Sequence, residues 1–107
     1  MNATNDSERM PRNVRAGLEF LPRRLKLTGD ARTILTIRAA DPPPEGLSSD
    51  NLLAVWFHDA LSPSTVMLRS VKLVEASIKS GCGLAFVGIH RRNIPRELAD
   101  KVELFVC

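Results

Sequence analysis

Two short stretches of this chain hold most of the side chains that could do chemistry. The first carries His58, Asp59, Ser62, Ser64 and Thr65; the second carries His90, Arg91, Arg92 and Asn93. A histidine, an acid and a serine invite a nucleophilic reading, with His58 as base, Asp59 as its orienter and Ser62 or Ser64 as nucleophile. The spacing opposes it. Consecutive residues such as His58 and Asp59 point in different directions, and no glycine-rich elbow exposes either serine. His58, Asp59 and His90 are equally poor as metal ligands, because they lack the His-x-x-x-His or Cys-x-x-Cys spacing that focuses donors on one ion. Anion recognition is what these residue types do suit. Hydroxyls at a helix start, with Arg91, Arg92 and His90 on a neighbouring loop, could hold a phosphate or a carboxylate. The plainer account competes with it: Ser62 caps a helix, Ser64 and Thr65 fill its first turn, and the arginines are solvated. The expectation is a non-catalytic chain with no cofactor and no metal.

The elements that must position these residues lie between Leu52 and Ile89. The stretch reads "LLAVWFHD", a break at "ALSPST", an amphipathic run ending at "KSG", and "GLAFVGI". Two short apolar runs joined by a helical pattern predict two buried parallel strands with a crossover helix. Ser62 is a natural N-cap and Pro63 suits the first helical position. Met67, Val71, Val74 and Ile78 recur at i, i+4, i+7 and i+11, which predicts the buried stripe. Lys72, Glu75 and Lys79 take the opposite face, and Gly81 stops the helix. In a parallel sheet the loops after the strands share its carboxyl edge, so both reactive stretches are expected there.

At 107 residues the chain is long enough for one domain with its own core. Hydrophobic residues make up 44% and charged residues 25%, ordinary for a globular protein, and no apolar run is long enough to span a membrane. Nothing at the start has the apolar core of a signal peptide. Two cysteines, Cys82 and Cys107, read as free thiols in a reducing cytoplasm. The net charge of +3 is mild but uneven, with Arg9, Arg12, Arg15, Arg23, Arg24 and Lys26 crowded near the start. Such an arm could bind nucleic acid or an acidic partner, although no aromatic residues alternate with the arginines as stacking platforms. Trp56, inside an apolar run, is expected in the core.

Residues 1–13 are polar and aperiodic and are expected to be disordered, which leaves 14–107 as the domain. "GLEFL" suggests an edge strand. "RRLKLTG", with Leu25 and Leu27 alternating against Arg24, Lys26 and Thr28, suggests a half-buried one. "ARTILTIRAAD" leans to strand by its β-branched residues, in a hairpin around "TGDA", while Asp30 as a cap offers a helix instead. The prolines of "DPPPEGLSSD" dictate a loop. "HRRN" is a polar turn, "IPRELADKV" a short helix, and "ELFVC" a final edge strand. The predicted class is α/β, a small mixed β-sheet with a β-α-β-α-β core and helices packed on it.

That element order and several residues resemble the STAS family, the fold of bacterial anti-sigma-factor antagonists and of a cytoplasmic partner in lipid-transport complexes. The resemblance runs from about Leu25 to Phe105. "LKLTGD" resembles the strand, glycine and acid before the family's first helix; "LLAVWFHDAL" resembles its central strand; "GCGLAFVGI" resembles its glycine-led strand, and "PRELADKVELF" its third helix and last strand. The family's Asp-Ser-Ser-Gly-Leu motif, where a kinase phosphorylates a serine, falls on Pro63-Ser64-Thr65-Val66-Met67. Ser64 keeps the serine and Thr65 is a conservative neighbour, while Pro63 replaces the acid and Val66 the glycine. The resemblance implies a helix over "ARTILTIRAAD". It also implies a cytoplasmic, regulatory protein–protein interaction module. Docking would run through the loop and start of the second helix (Asp59, Ser62, Ser64, Thr65), to a regulatory kinase, an anti-sigma factor, a transport-complex subunit or a second copy of the chain. The alternative is a nucleic-acid-associated protein that uses its arginine-rich start.

Overall fold

The computed structural model describes residues 10–58 and 61–106. In chain order it has helix α1 (Arg12–Leu27), strands β1 (Thr33–Arg38) and β2 (Asn51–Trp56), helix α2 (Pro63–Ser80), strand β3 (Gly83–Val87), a 3₁₀ turn (Arg91–Asn93), the short helix α3 (Arg96–Ala99) and strand β4 (Leu104–Val106). The expected α/β class and the β-α-β-α-β core are present. The four strands pair in sequence order, β1-β2-β3-β4, and every pair is parallel. The predicted mixture of strand directions is therefore replaced by a single direction, because the antiparallel hairpin around "TGDA" does not form.

A monotonic strand order fixes where the layers go. Right-handed crossovers that always step the same way must all pass over the same face of the sheet. On that face lie Leu53, Val55, Phe57, Leu84 and Phe86, packed with Val66, Leu73 and Val74 of α2 and with Ile94. The opposite face carries Leu52, Ala54, Trp56, Ala85 and Val87, and α1 covers it with Val14, Leu21 and Leu25. Trp56 is core, as expected. β2 and β3, buried on both faces, read as continuous apolar runs for this reason. The βαβ unit over Leu52–Ile89 is present, with its two strands adjacent.

The first crossover has no helix. Residues 39–50 return the chain from β1 to β2 with prolines at 42–44, Gly46 at φ +78° and Leu47 half-buried against the core. Three consecutive prolines exclude an α-helix there, so the loop itself does the covering.

Two expected strands are overturned before β1. The strands read in "GLEFL" and "RRLKLTG" are instead the single helix α1. Val14, Leu18, Leu21 and Leu25 recur at i, i+4, i+7 and i+11 and form its buried stripe. Leu27, which completed the apparent alternation, is 82% exposed. Pro22 lies within α1 on its exposed side. A mid-helix proline costs about 3 kcal/mol, whereas burying three aliphatic side chains contributes roughly 5–9 kcal/mol, so packing wins. The arm expected to be disordered over 1–13 already turns helical at Arg12, and its residues 1–9 lie outside the described residues.

The helix that the family resemblance implied over "ARTILTIRAAD" is strand β1, as the β-branched residues alone suggested. Asp30 caps nothing. Its Oδ1 accepts from the Arg32 backbone N–H at 3.1 Å and from Arg32 Nε at 2.9 Å, which turns the chain into the strand. Arg32 Nη2 then reaches Glu103 Oε1 at 2.8 Å, so one guanidinium, 12% exposed, ties the starts of the two edge strands together. It passes under Gly83, where a Cβ would collide with the guanidinium and stand 2.9 Å from Leu52 Cδ1. A side chain there would have to displace the ends of Arg32 and Leu52.

Candidate functional site at the carboxyl edge

α2 begins as its sequence dictates. Ser62 caps it, accepting from the Thr65 N–H at 3.2 Å; Pro63 opens the first turn; Gly81, at φ +79°, ends it. The face is rotated from the expected stripe. Val66, Ser70, Leu73, Val74 and Ser77 are buried, whereas Met67 is 41% and Ile78 54% exposed, and Val71 is only half-buried. The two serines hid this face from a hydrophobicity reading. Ser70 Oγ donates to the Val66 carbonyl at 2.8 Å, and Ser77 Oγ donates to the Cys82 carbonyl, so small satisfied hydroxyls let α2 lie close on the sheet.

The hydroxyls of the first reactive stretch gather as a cluster. Ser62 Oγ lies 3.2 Å from Ser64 Oγ and 2.9 Å from Thr65 Oγ1, all at the exposed start of α2. Asp59 lies outside the described residues, and His58 is exposed after β2. The second stretch forms the 3₁₀ turn, with His90 exposed at its start and Arg91 and Arg92 exposed within it. Both stretches sit at the carboxyl ends of β2 and β3, and the turn packs beside α2. Their side chains nevertheless go to different places. Arg91 and Arg92 line a groove of about 570 Å³ with Ile94, Arg96, Leu104 and Val106, and none of Ser62, Ser64 or Thr65 lines it. The monotonic strand order also lacks the reversal at which doubly wound sheets open a ligand crevice.

Chemically, this edge offers contact surfaces. Near the start of α2 the exposed Met67 and Leu68 (57% exposed) stand beside the Ser62–Ser64–Thr65 rim. Arg96, which the sequence reading left out of the site, joins Arg91 and Arg92 because α3 follows the turn at once; the run "HRRNIPRE" is the signal that could have revealed it. Among the described residues no three His, Cys, Asp or Glu side chains gather where they could hold a metal ion. Cys82 is a buried free thiol, and Cys107 lies outside the described residues. No helix among the described residues is long and apolar enough to cross a membrane. Comparisons with models of known families, with curated proteins and with solved structures found no match.

Proposed function

We propose that this chain is a non-catalytic docking module of the STAS type, binding a protein partner in the cytoplasm through the first turns of α2 and the loop before them. One observation carries the reading: Met67 and Leu68 project from the core beside a hydroxyl rim at a helix start. Covering such side chains contributes roughly 25 cal/mol per Å² of apolar surface removed from water, which offsets part of the cost of association. The order from β2 to β4, with a capped helix and a glycine-led strand, supports the family reading; α1 and β1 depart from it. Ser64 is the residue through which docking could be switched. A phosphate there adds about −1.5 to −2 charges at the positive end of the helix dipole, where the fold tolerates it while the surface changes sign. Pro63, in place of the family's acid, favours docking without that switch.

The test uses immobilised wild-type chain, Ser64→Asp, Leu68→Asp and an Asp30→Ala control, each exposed to extract of the native host with captured proteins quantified by mass spectrometry. A protein retained by wild type and Asp30→Ala but lost by the other two supports the reading. Identical captures by all four sink it.

A second reading has its own observation. Arg12, Arg15, Arg23 and Lys26 all lie exposed along one strip of α1, interrupted only by Glu19, so the basic segment is a structured cationic face. Nucleic acid bound there by phosphate neutralisation weakens steeply with salt, and each contacting cation removed lowers the logarithmic salt slope by about 1. An Arg12→Ala/Arg23→Ala chain with an unchanged slope rules this reading out.

A further inference from the structure

We propose that the open edge of β4 accepts an acidic, extended segment of a partner protein as a fifth strand. The site is separate from the docking turn of α2 and goes beyond that reading.

β4 ends the strand order, so among the described residues one side of it faces no strand. The Glu103 carbonyl accepts from the Leu84 N–H at 3.0 Å, and backbone direction alternates along a strand. Phe105 therefore also turns towards β3, while the N–H and C=O groups of Leu104 and Val106 point outward. A ladder can extend from them.

The side chains around this edge are arranged for alternation. On the α2 face, α3 is only 4 residues long and leaves the groove of about 570 Å³ over Leu104 and Val106 open. On the α1 face a second groove, of about 180 Å³, is lined by Phe20, Leu21, Arg24 and Phe105. Successive side chains of an added strand point to opposite faces, so a single extended segment fills both grooves at once.

Charge selects the occupant. Arg92 and Arg96 line the first groove, Arg24 the second and Arg91 both, against one acid, Asp100. Among the described residues none of these four arginines is in an ion pair. The opposite edge differs, since Arg38 on β1 is held by Asp41 at 2.9 Å. A second copy of the chain is a poor occupant: pairing β4 with β4 sets arginines against arginines, the arrangement by which natural edges resist self-association. A segment alternating apolar and acidic residues meets both demands.

The experiment titrates the full chain into a fluorescein-labelled ten-residue peptide of alternating Glu and Val, read by anisotropy. Two further peptides carry N-methyl groups on every second residue, in the two alternative phases. One phase removes the N–H groups facing β4 and the other those facing solvent. The expected result is saturable binding, weakened at least tenfold by one phase and not by the other. Replacing Glu with Lys in the peptide, or Arg91→Glu/Arg96→Glu in the protein, weakens it at least tenfold, and Leu68→Asp leaves it unchanged. No saturable binding overturns the proposal. So do equal losses from both methylation phases, equal binding of the Lys peptide, or a wild-type chain that sediments as a dimer. The peptide arms decide the matter even where the arginine variant fails to fold.

Discussion

Replacing Gly88 with alanine probes a place where α1 packs against backbone that follows β3. Gly88 follows β3 at φ +89°, and a Cβ there would stand 2.8 Å from Val14 Cγ2 and 2.9 Å from the Phe57 carbonyl oxygen. Gly46 supplies the control: its φ is +78°, and a Cβ meets nothing within 4 Å. Both substitutions carry the left-handed penalty of about 1–2 kcal/mol. Only Gly88→Ala also pushes Val14, fully buried, off the sheet, and a displaced valine forfeits up to roughly 1.5–3 kcal/mol of burial. The expected losses are thus about 2–5 kcal/mol at Gly88 and about 1–2 kcal/mol at Gly46. Urea titrations followed by circular dichroism give both from the midpoint at constant slope. Val14→Ala removes the colliding methyl, so the Gly88→Ala/Val14→Ala chain should be more stable than the sum of the single losses predicts. Equal losses at Gly88 and Gly46, or strict additivity in the double variant, would refute the placement of α1 on this face.

The face of α2 is tested by Leu73→Ala, expected to cost about 2–4 kcal/mol through lost burial and a cavity, beside Ile78→Ala, expected to stay within about 1 kcal/mol because Ile78 is already 54% exposed; similar shifts in urea midpoint contradict the rotated face. Asp30 gives a pH signature. Hydrogen bonds from Arg32 hold its carboxyl below the usual range, so the folded chain binds fewer protons there than the unfolded one and stability rises with pH. The contribution is present above the unfolded value near pH 4 and is lost as pH falls through the lower folded value. Asp30→Asn should therefore be less stable than wild type at pH 6, with the gap narrowing as pH falls below about 4; a gap in thermal melts that is no smaller at pH 3 than at pH 6 speaks against this ion pair.

How far the sequence could be read depended on whether one kind of signal stood alone. Around α2 it did: Ser62, Pro63 and Gly81 fix a start and a stop regardless of what packs where. Its facing was less legible, because Ser70 and Ser77 are buried on the strength of bonds to carbonyls that only the fold supplies. α1 was obscured by two conflicting cues. Leu25 and Leu27 alternate as a strand would and Pro22 breaks the pattern, while the longer period from Val14 to Leu25 is visible only over twelve residues. β1 shows local propensity outweighing a family analogy: Thr33, Ile34, Thr36 and Ile37 prefer a pleated surface, and Asp30 is consumed by Arg32. Of the site, the clustering of Ser62, Ser64 and Thr65 follows from chain proximity. The turning of Arg91 and Arg92 towards the β4 edge depends on the brevity of α3, a tertiary fact with no local signature.

Site-specific photo-crosslinking tests the docking claim most directly. A benzophenone-bearing residue replaces Leu68, exposed beside the Ser62–Ser64 rim, or Glu45, exposed on the proline loop, and each chain is irradiated inside the native host. One discrete crosslinked protein is expected from position 68, absent when Ser64→Asp is added and absent from position 45. No product at 68, or the same product from both positions, contradicts it.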